Sequence, residues 1–168
     1  EENLNLNDKR LIDALDYVVY HLPFCNMAKK AHRHFIELEY KDTDDEEREK
    51  RFEETFGKMV APGLLGVREV GNIYTGSVYM GLVSLLESER EKAEGKKVGI
   101  FSYGSGCGAE FLICNIKENV RNLIDGLNFR KQLDRRKKIS IEHYTHIYSQ
   151  RLQDVRYFPQ EVQYFKDE

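Results

Sequence analysis

Several common signatures are missing from this sequence. Cysteine is scarce: the three thiols, Cys25, Cys107 and Cys114, are odd in number and show no CxxC spacing. A disulfide framework or a zinc site needs paired spacing, so a reducing, cytoplasmic setting is expected. No apolar run approaches the roughly 20 residues of a membrane-spanning helix, and no cationic start leads into an apolar segment. Neither a membrane span nor a signal peptide is therefore expected. Charge of one sign is not in excess either. The net charge is −3, which leaves no basic footprint for nucleic acid. The run Arg135, Arg136, Lys137, Lys138 is short, has acidic flanks and reads as solvated surface. The phosphate-binding pattern GxxxxGK[ST] is absent as well.

What is present fits one α/β domain with a real core. Apolar residues make up 40% and charged residues 33% of the 168, a globular balance. The chain starts without methionine, in a polar stretch that runs into a core strand, and is expected to be a piece of a longer protein. Asp16 to Leu22 (DYVVYHL) reads as a strand ended by Pro23. Cys25 to Tyr40 places Met27, Ala31, Phe35 and Leu38 at helical spacing. DTDDEEREKRFEETF reads as a charged surface helix anchored by Phe52 and Phe56. Ala61 to Gly71 reads as irregular.

GNIYTGSVYMGLVSLLESE carries apolar residues on nearly all sides, Tyr79 and Met80 among them, which predicts a buried central helix. Gly76, Gly81 and Ser84 would let a neighbouring backbone come close. Strands follow at 98–101 and 109–116, and two helices close the chain. The second starts from Ser140 as N-cap, with Ile141, Tyr144, Ile147 and Leu152 on one face. Strands alternating with helices, the last two antiparallel, make a layered α/β domain.

The segment KVGIFSYGSGCGAEF sets Gly104, Gly106 and Gly108 at the tip of a strand. A dinucleotide loop needs GxGxxG opening a helix, whereas EFLICNI continues as a strand. A nucleophile elbow needs G-x-S-x-G, but Tyr103 stands two positions before Ser105. A glycine-rich corner between two strands remains. It is either a tight hairpin without function or a place where backbone presses against a ligand.

Two other polar residues could converge on that corner. His21 ends a buried strand, where it could polarise a carbonyl or move a proton; a satisfied core histidine is the plain alternative. Asn72 follows Gly71 and is expected to open the buried helix, either facing a developing oxyanion or acting as a simple N-cap. His32 and His34 point differently on a helix, and His143 with His146 could share a face. No cluster completes a metal site. Cys25 and Cys114 read as small core fillers.

Three stretches in series, YHLPFCNMAKKAH, VGNIYTGSVYMGLVSLLE and IFSYGSGCGAEF, resemble the C-terminal half of the 3-hydroxy-3-methylglutaryl synthase family, in the thiolase-like superfamily. The likeness continues weakly through LDRRKKISIEHY and covers nearly the whole chain. It implies the C-terminal half of a thiolase-like layered fold, a mixed sheet packed by helices, with residues 1–168 forming the C-terminal domain. It also implies roles. His21 would bind and polarise the acceptor carbonyl. Asn72 would hold a thioester or acceptor carbonyl. Ser105 would lie against the acyl substrate, with Gly104 and Gly106 in one wall of its pocket.

In such enzymes an acetyl group rides on a cysteine and a glutamate removes its methyl proton. The enolate then adds to a β-keto thioester. That cysteine and glutamate belong to the N-terminal half, so this chain alone is expected to be inactive. The implied partners are that half, an acyl carrier protein or coenzyme A thioester, and a second copy in a homodimer. No resident cofactor is implied. Members that use coenzyme A typically carry lysine where this chain has Asn26, although Lys29 and Lys30 remain to meet a phosphate. Together with GSGC and LDRR, Asn26 points towards carrier-bound substrates in polyketide β-branching. The mevalonate-type coenzyme A enzyme is the alternative. A non-catalytic scaffold of the same fold and a nucleotide-binding module are further rivals. The first is weakened by His21, Asn72 and Ser105 occurring together, the second by the missing helix after the glycines.

Overall fold

The computed structural model describes residues 9–104, 106 and 108–153. Ser105 and Cys107, and the side chain of Leu152, lie outside the described residues. The chain forms two compact units, Glu1–Asp134 and Arg135–Glu168.

The first unit is built on a three-stranded mixed sheet in the order β1-β2-β3. Strand β1 (Tyr17–Tyr20) runs parallel to β2 (Lys97–Gly104), with Tyr20 opposite Phe101. Strand β3 (Gly108–Asn115) returns antiparallel to β2, with Gly104 opposite Gly108. The β-branched and aromatic run YVVY suits a strand with both faces covered, and all four residues are buried. The strand is shorter than Asp16–Leu22. Asp16 instead turns its carboxylate onto the Lys97 N–H at 2.9 Å and Lys96 Nζ at 3.0 Å.

Helices α1 (Asn26–Glu39) and α2 (Asp45–Thr55) occupy the segments where helical spacing predicts them. Asp44 caps α2 by accepting from the Glu47 N–H at 2.8 Å. Phe52 is buried, and its ring stacks on Phe56 at 5.3 Å.

The stretch 61–71 is not irregular. Ala61–Leu64 forms a 3-10 turn and Leu65–Val70 forms helix α3. Proline and glycine disguise it in the sequence, and packing explains it. Gly66 sits so tightly against the next helix that a Cβ would come within 2.6 Å of Met80 and Ser84 side-chain atoms. Its N–H donates to Ser84 Oγ at 2.8 Å.

That next helix, α4 (Gly76–Glu89), is buried along one side rather than all round. Tyr79 is 70% exposed. The buried side is made by Ser77, Val78, Gly81, Ser84, Leu85 and Leu86. Small residues are what let α4 approach β1: a Cβ on Gly81 would stand 2.7 Å from Val19 Cγ1. Tyr79 misleads because it counts as apolar while its side chain faces outward; Met80 packs against the core as expected.

Strand β3 departs further from expectation. Its sequence is apolar, yet every residue is exposed, Cys114 included, so Cys114 is not a core filler. Cys25 is partly buried against the core, as expected. Helices α5 (Val120–Leu127) and α6 (Phe129–Asp134) complete this unit.

In the second unit, α7 (Ile141–Gln153) starts where Ser140 Oγ accepts from the His143 N–H at 3.1 Å. Ile141, Tyr144 and Ile147 on it are exposed. No helix of the described residues is long and apolar enough to cross a membrane.

Candidate active site at the end of strand β1

The chain leaves β1 at His21, whose N–H donates to the Phe101 carbonyl at 2.7 Å. This bond extends the β1–β2 pairing by one residue and fixes where the imidazole starts. The ring meets Tyr103 of β2 edge-on, with centroids 6.1 Å apart. His21 Nδ1 is buried and has no hydrogen-bond partner among the described residues. A buried ring nitrogen without a partner is a cost that a bound group can relieve.

Tyr103 leads straight into the glycine corner. Gly104 ends β2, and the Gly106 N–H donates back to the Gly104 carbonyl at 2.9 Å in a tight turn. Around Gly106 and Gly108, no described atom comes within 4 Å of the place a Cβ would take. The chain's own packing does not require glycine at those two positions, which leaves backbone open to whatever faces it. The two-strand corner expected from the sequence is therefore present, and His21 stands beside the strand that feeds it.

Asn72 departs from expectation. Helix α4 begins at Gly76 with Thr75 before it, so Asn72 lies ahead of the helix rather than at its cap. Gly71 adopts φ +82° after α3, a conformation that favours glycine, and turns the chain outward. The Asn72 side chain is exposed and accepts from the Tyr74 N–H at 2.8 Å. This local turn competes with helix formation. Among the described residues no hydrogen bond joins Asn72 to His21.

Helix α1 presents Asn26, Lys29 and Lys30 to solvent, three and four residues apart and hence on one face. Lys29 and Lys30 form no ion pair among the described residues, and no acid occupies the first turn of the helix. The buried stripe of the helix holds a residue whose role the sequence pattern did not reveal. His32 is completely buried, with Nδ1 2.9 Å from Tyr20 Oη and Nε2 2.8 Å from Thr55 Oγ1. Burial lowers its pKa to about 4 and pushes that of Tyr20 well above the usual tyrosine value. The position was detectable: Ala28, His32 and Ile36 repeat every four residues along the inner stripe of α1. His34, by contrast, is exposed beside Glu37. Among the described residues no group of three or more His, Cys, Asp or Glu could hold a metal ion.

A parallel–antiparallel sheet with a small-residue helix against one strand, and a histidine and a glycine hairpin side by side at its end, make a layered α/β domain with a candidate strand-end site, in keeping with the thiolase-like fold that the resemblance implies. Residues 52–164 match the family model described as hydroxymethylglutaryl-coenzyme A synthase C terminal, and the chain belongs to that family. The match starts at Phe52, so His21 and the face of α1 precede it.

Hydroxymethylglutaryl-CoA synthase of Enterococcus faecalis is 34% identical over 84% of this chain and 35% of its own length. The polyketide biosynthesis 3-hydroxy-3-methylglutaryl-ACP synthase PksG of Bacillus subtilis is 35% identical over 79% of this chain and 30% of its own length. Among solved structures, MvaS in complex with 3-hydroxy-3-methylglutaryl coenzyme A superposes with TM-score 0.75 at 32% identity, covering 89% of this chain and 36% of that one. The chain thus spans about a third of the length of the relatives it matches.

Proposed function

We propose that this chain is the acceptor-binding, C-terminal part of a hydroxymethylglutaryl-type condensing enzyme, with residues 1–168 as one functional domain. The observation that carries the reading is the buried, unpartnered Nδ1 of His21 beside an open glycine hairpin, in a chain of this family. The acetyl-bearing cysteine and the general-base glutamate come from the part of the relatives' length that this chain does not span. The enolate of that acetyl group adds to the ketone carbon of a β-keto thioester. One carbon–carbon bond forms, and the carbonyl pair becomes an alkoxide. The imidazole of His21 stabilises the alkoxide and protonates it. Gly104 and Gly106 wall the acyl pocket, with Ser105 between them. Asn72 reaches the thioester carbonyl only if its turn to Tyr74 gives way.

The substrate arrives on a phosphopantetheine arm, whose phosphate meets the α1 face of Asn26, Lys29 and Lys30. No further cofactor is needed. The neutral Asn26 favours an arm presented by an acyl carrier protein. An ammonium at that position would add a charge-assisted hydrogen bond to coenzyme A worth roughly 1.5–3 kcal/mol. A coenzyme A substrate is the second reading, favoured by the likeness to MvaS. The test compares kcat/KM for acetoacetyl-carrier protein and acetoacetyl-coenzyme A, using the complete enzyme with Asn26 and with Asn26→Lys. The wild type is expected to prefer the carrier, and Asn26→Lys to narrow the gap about tenfold. Equal use of both substrates by the wild type selects the coenzyme A reading. No condensation with either leaves a scaffold.

A further inference from the structure

Helix α1 and strand β1 are held in place by different means. Strand β1 has main-chain pairing with β2 along its whole length, continued by His21. Helix α1 has no such ladder to the sheet and depends on its side chains. Ala28 and Ile36 supply apolar contact, which resists separation but not sliding. Arg33 pairs with Glu49 of α2, and Glu39 accepts from the Ile12 N–H, but neither reaches the strand; among the described residues the directional contact from α1 to β1 is His32. The hydrogen of Thr55 Oγ1 goes to the Arg51 carbonyl at 2.7 Å, so the Nε2–H of His32 must be the donor to that oxygen. Nδ1 is then left to accept from Tyr20 Oη. One neutral ring, packed among Phe35, Phe52 and Phe56, thereby ties α1 to β1 on one side and to α2 on the other.

We propose that His32 is a positioning residue: its bonds to Tyr20 and Thr55 set the register of α1 against β1, and so hold the Asn26–Lys29–Lys30 face at a fixed offset from His21. This rests on the reading above in which that face takes the phosphate of the substrate's arm. Breaking the bonds lets the helix shift while β1, secured by its ladder, stays. Arm binding then suffers while the chemistry at His21 does not. The ring stays neutral through the physiological range, so this tie is not a pH switch there.

The experiment uses the complete enzyme and two acceptors, acetoacetyl-coenzyme A and acetoacetyl-N-acetylcysteamine; the second lacks the phosphate. His32→Leu is expected to raise KM for the first about tenfold, with kcat within threefold and KM for the second unchanged. His32→Gln, which keeps one acceptor and one donor, restores most of the loss. Tyr20→Phe removes a single hydroxyl and preserves the fold where His32→Leu does not; it shifts the same KM ratio in the same direction. Lys29→Ala and Lys30→Ala test the underlying reading separately. If these lysine variants change the KM ratio and neither His32→Leu nor Tyr20→Phe does, the positioning role is refuted and the phosphate face stands. If the lysine variants leave the ratio unchanged, both fall. Equal KM increases for the two acceptors in His32→Leu also overturn the proposal, because they indicate general damage rather than a displaced helix.

Discussion

Strands β1 and β3 flank the same strand and are treated in opposite ways. Every residue of β1 is buried, under α4 on one side and the α1–α2 pair on the other. Every residue of β3 is exposed, including Phe111, Leu112 and Ile113. Both sequences, YVVY and GAEFLICN, are rich in apolar residues, so hydrophobicity does not separate them. The difference lies in what this chain supplies to cover each. It covers both faces of β1 and gives β3 little more than the contact of Phe35 with Phe111, ring centroids 6.1 Å apart, in a protein that spans about a third of its relatives' length. On the proposed reading, this exposed apolar strand next to the glycine corner is where the remaining part of such an enzyme packs. The candidate site thus has one finished wall at His21 and one exposed wall at β3.

The largest expected effect breaks the finished wall chemically. In the complete enzyme, His21→Ala should lower the condensation rate roughly 100-fold or more, the usual effect of losing a polarising or proton-transferring group. Acetylation of the partner half's cysteine, followed by radiolabel incorporation, should change much less. Equal loss in both steps points to misfolding of the β1 end instead.

The next tests how that wall is held. His32 has a folded pKa of about 4 against an ordinary value of 6.5. Its neutral form is favoured by the fold, so its contribution is fully present above pH 6.5. It declines as the pH falls and the unfolded chain binds the proton first. By linkage the loss amounts to roughly 3 kcal/mol on reaching pH 4 and then levels off. Denaturant titrations at pH 7.5 and 4.5 should show it, and His32→Leu should flatten that difference.

A smaller effect compares the two strands directly. Val18→Ala in β1, at 1% exposure, should destabilise by about 2 kcal/mol. Leu112→Ala in β3, at 49% exposure, should stay within about 0.5 kcal/mol in this chain. In the complete protein the Leu112 value should rise if β3 is covered there. An unchanged value would show that β3 faces solvent in the whole enzyme too.

Periodicity was enough to place α1, α2 and α7, and the cap residue Ser140 was legible because a hydroxyl before an apolar repeat has a local partner. The strand-end position of His21 and the two-strand glycine corner could be read in the same way. They depend on residue types whose conformational preference is local. The family resemblance and the family match agree.

Three features were decided only in three dimensions. Helix α3 forms in a segment rich in proline and glycine because Gly66 packs on α4. Asn72 turns outward because Gly71 adopts positive φ, so its side chain bonds Tyr74 rather than capping a helix. His32 became a neutral buried link because two hydroxyls, at positions 20 and 55, meet it from different elements. Local pattern determines which backbone a segment prefers. Which of two strands rich in apolar residues is covered, and which histidine is sealed in, depends on partners distant in sequence, and hydrophobicity counts every one of them alike.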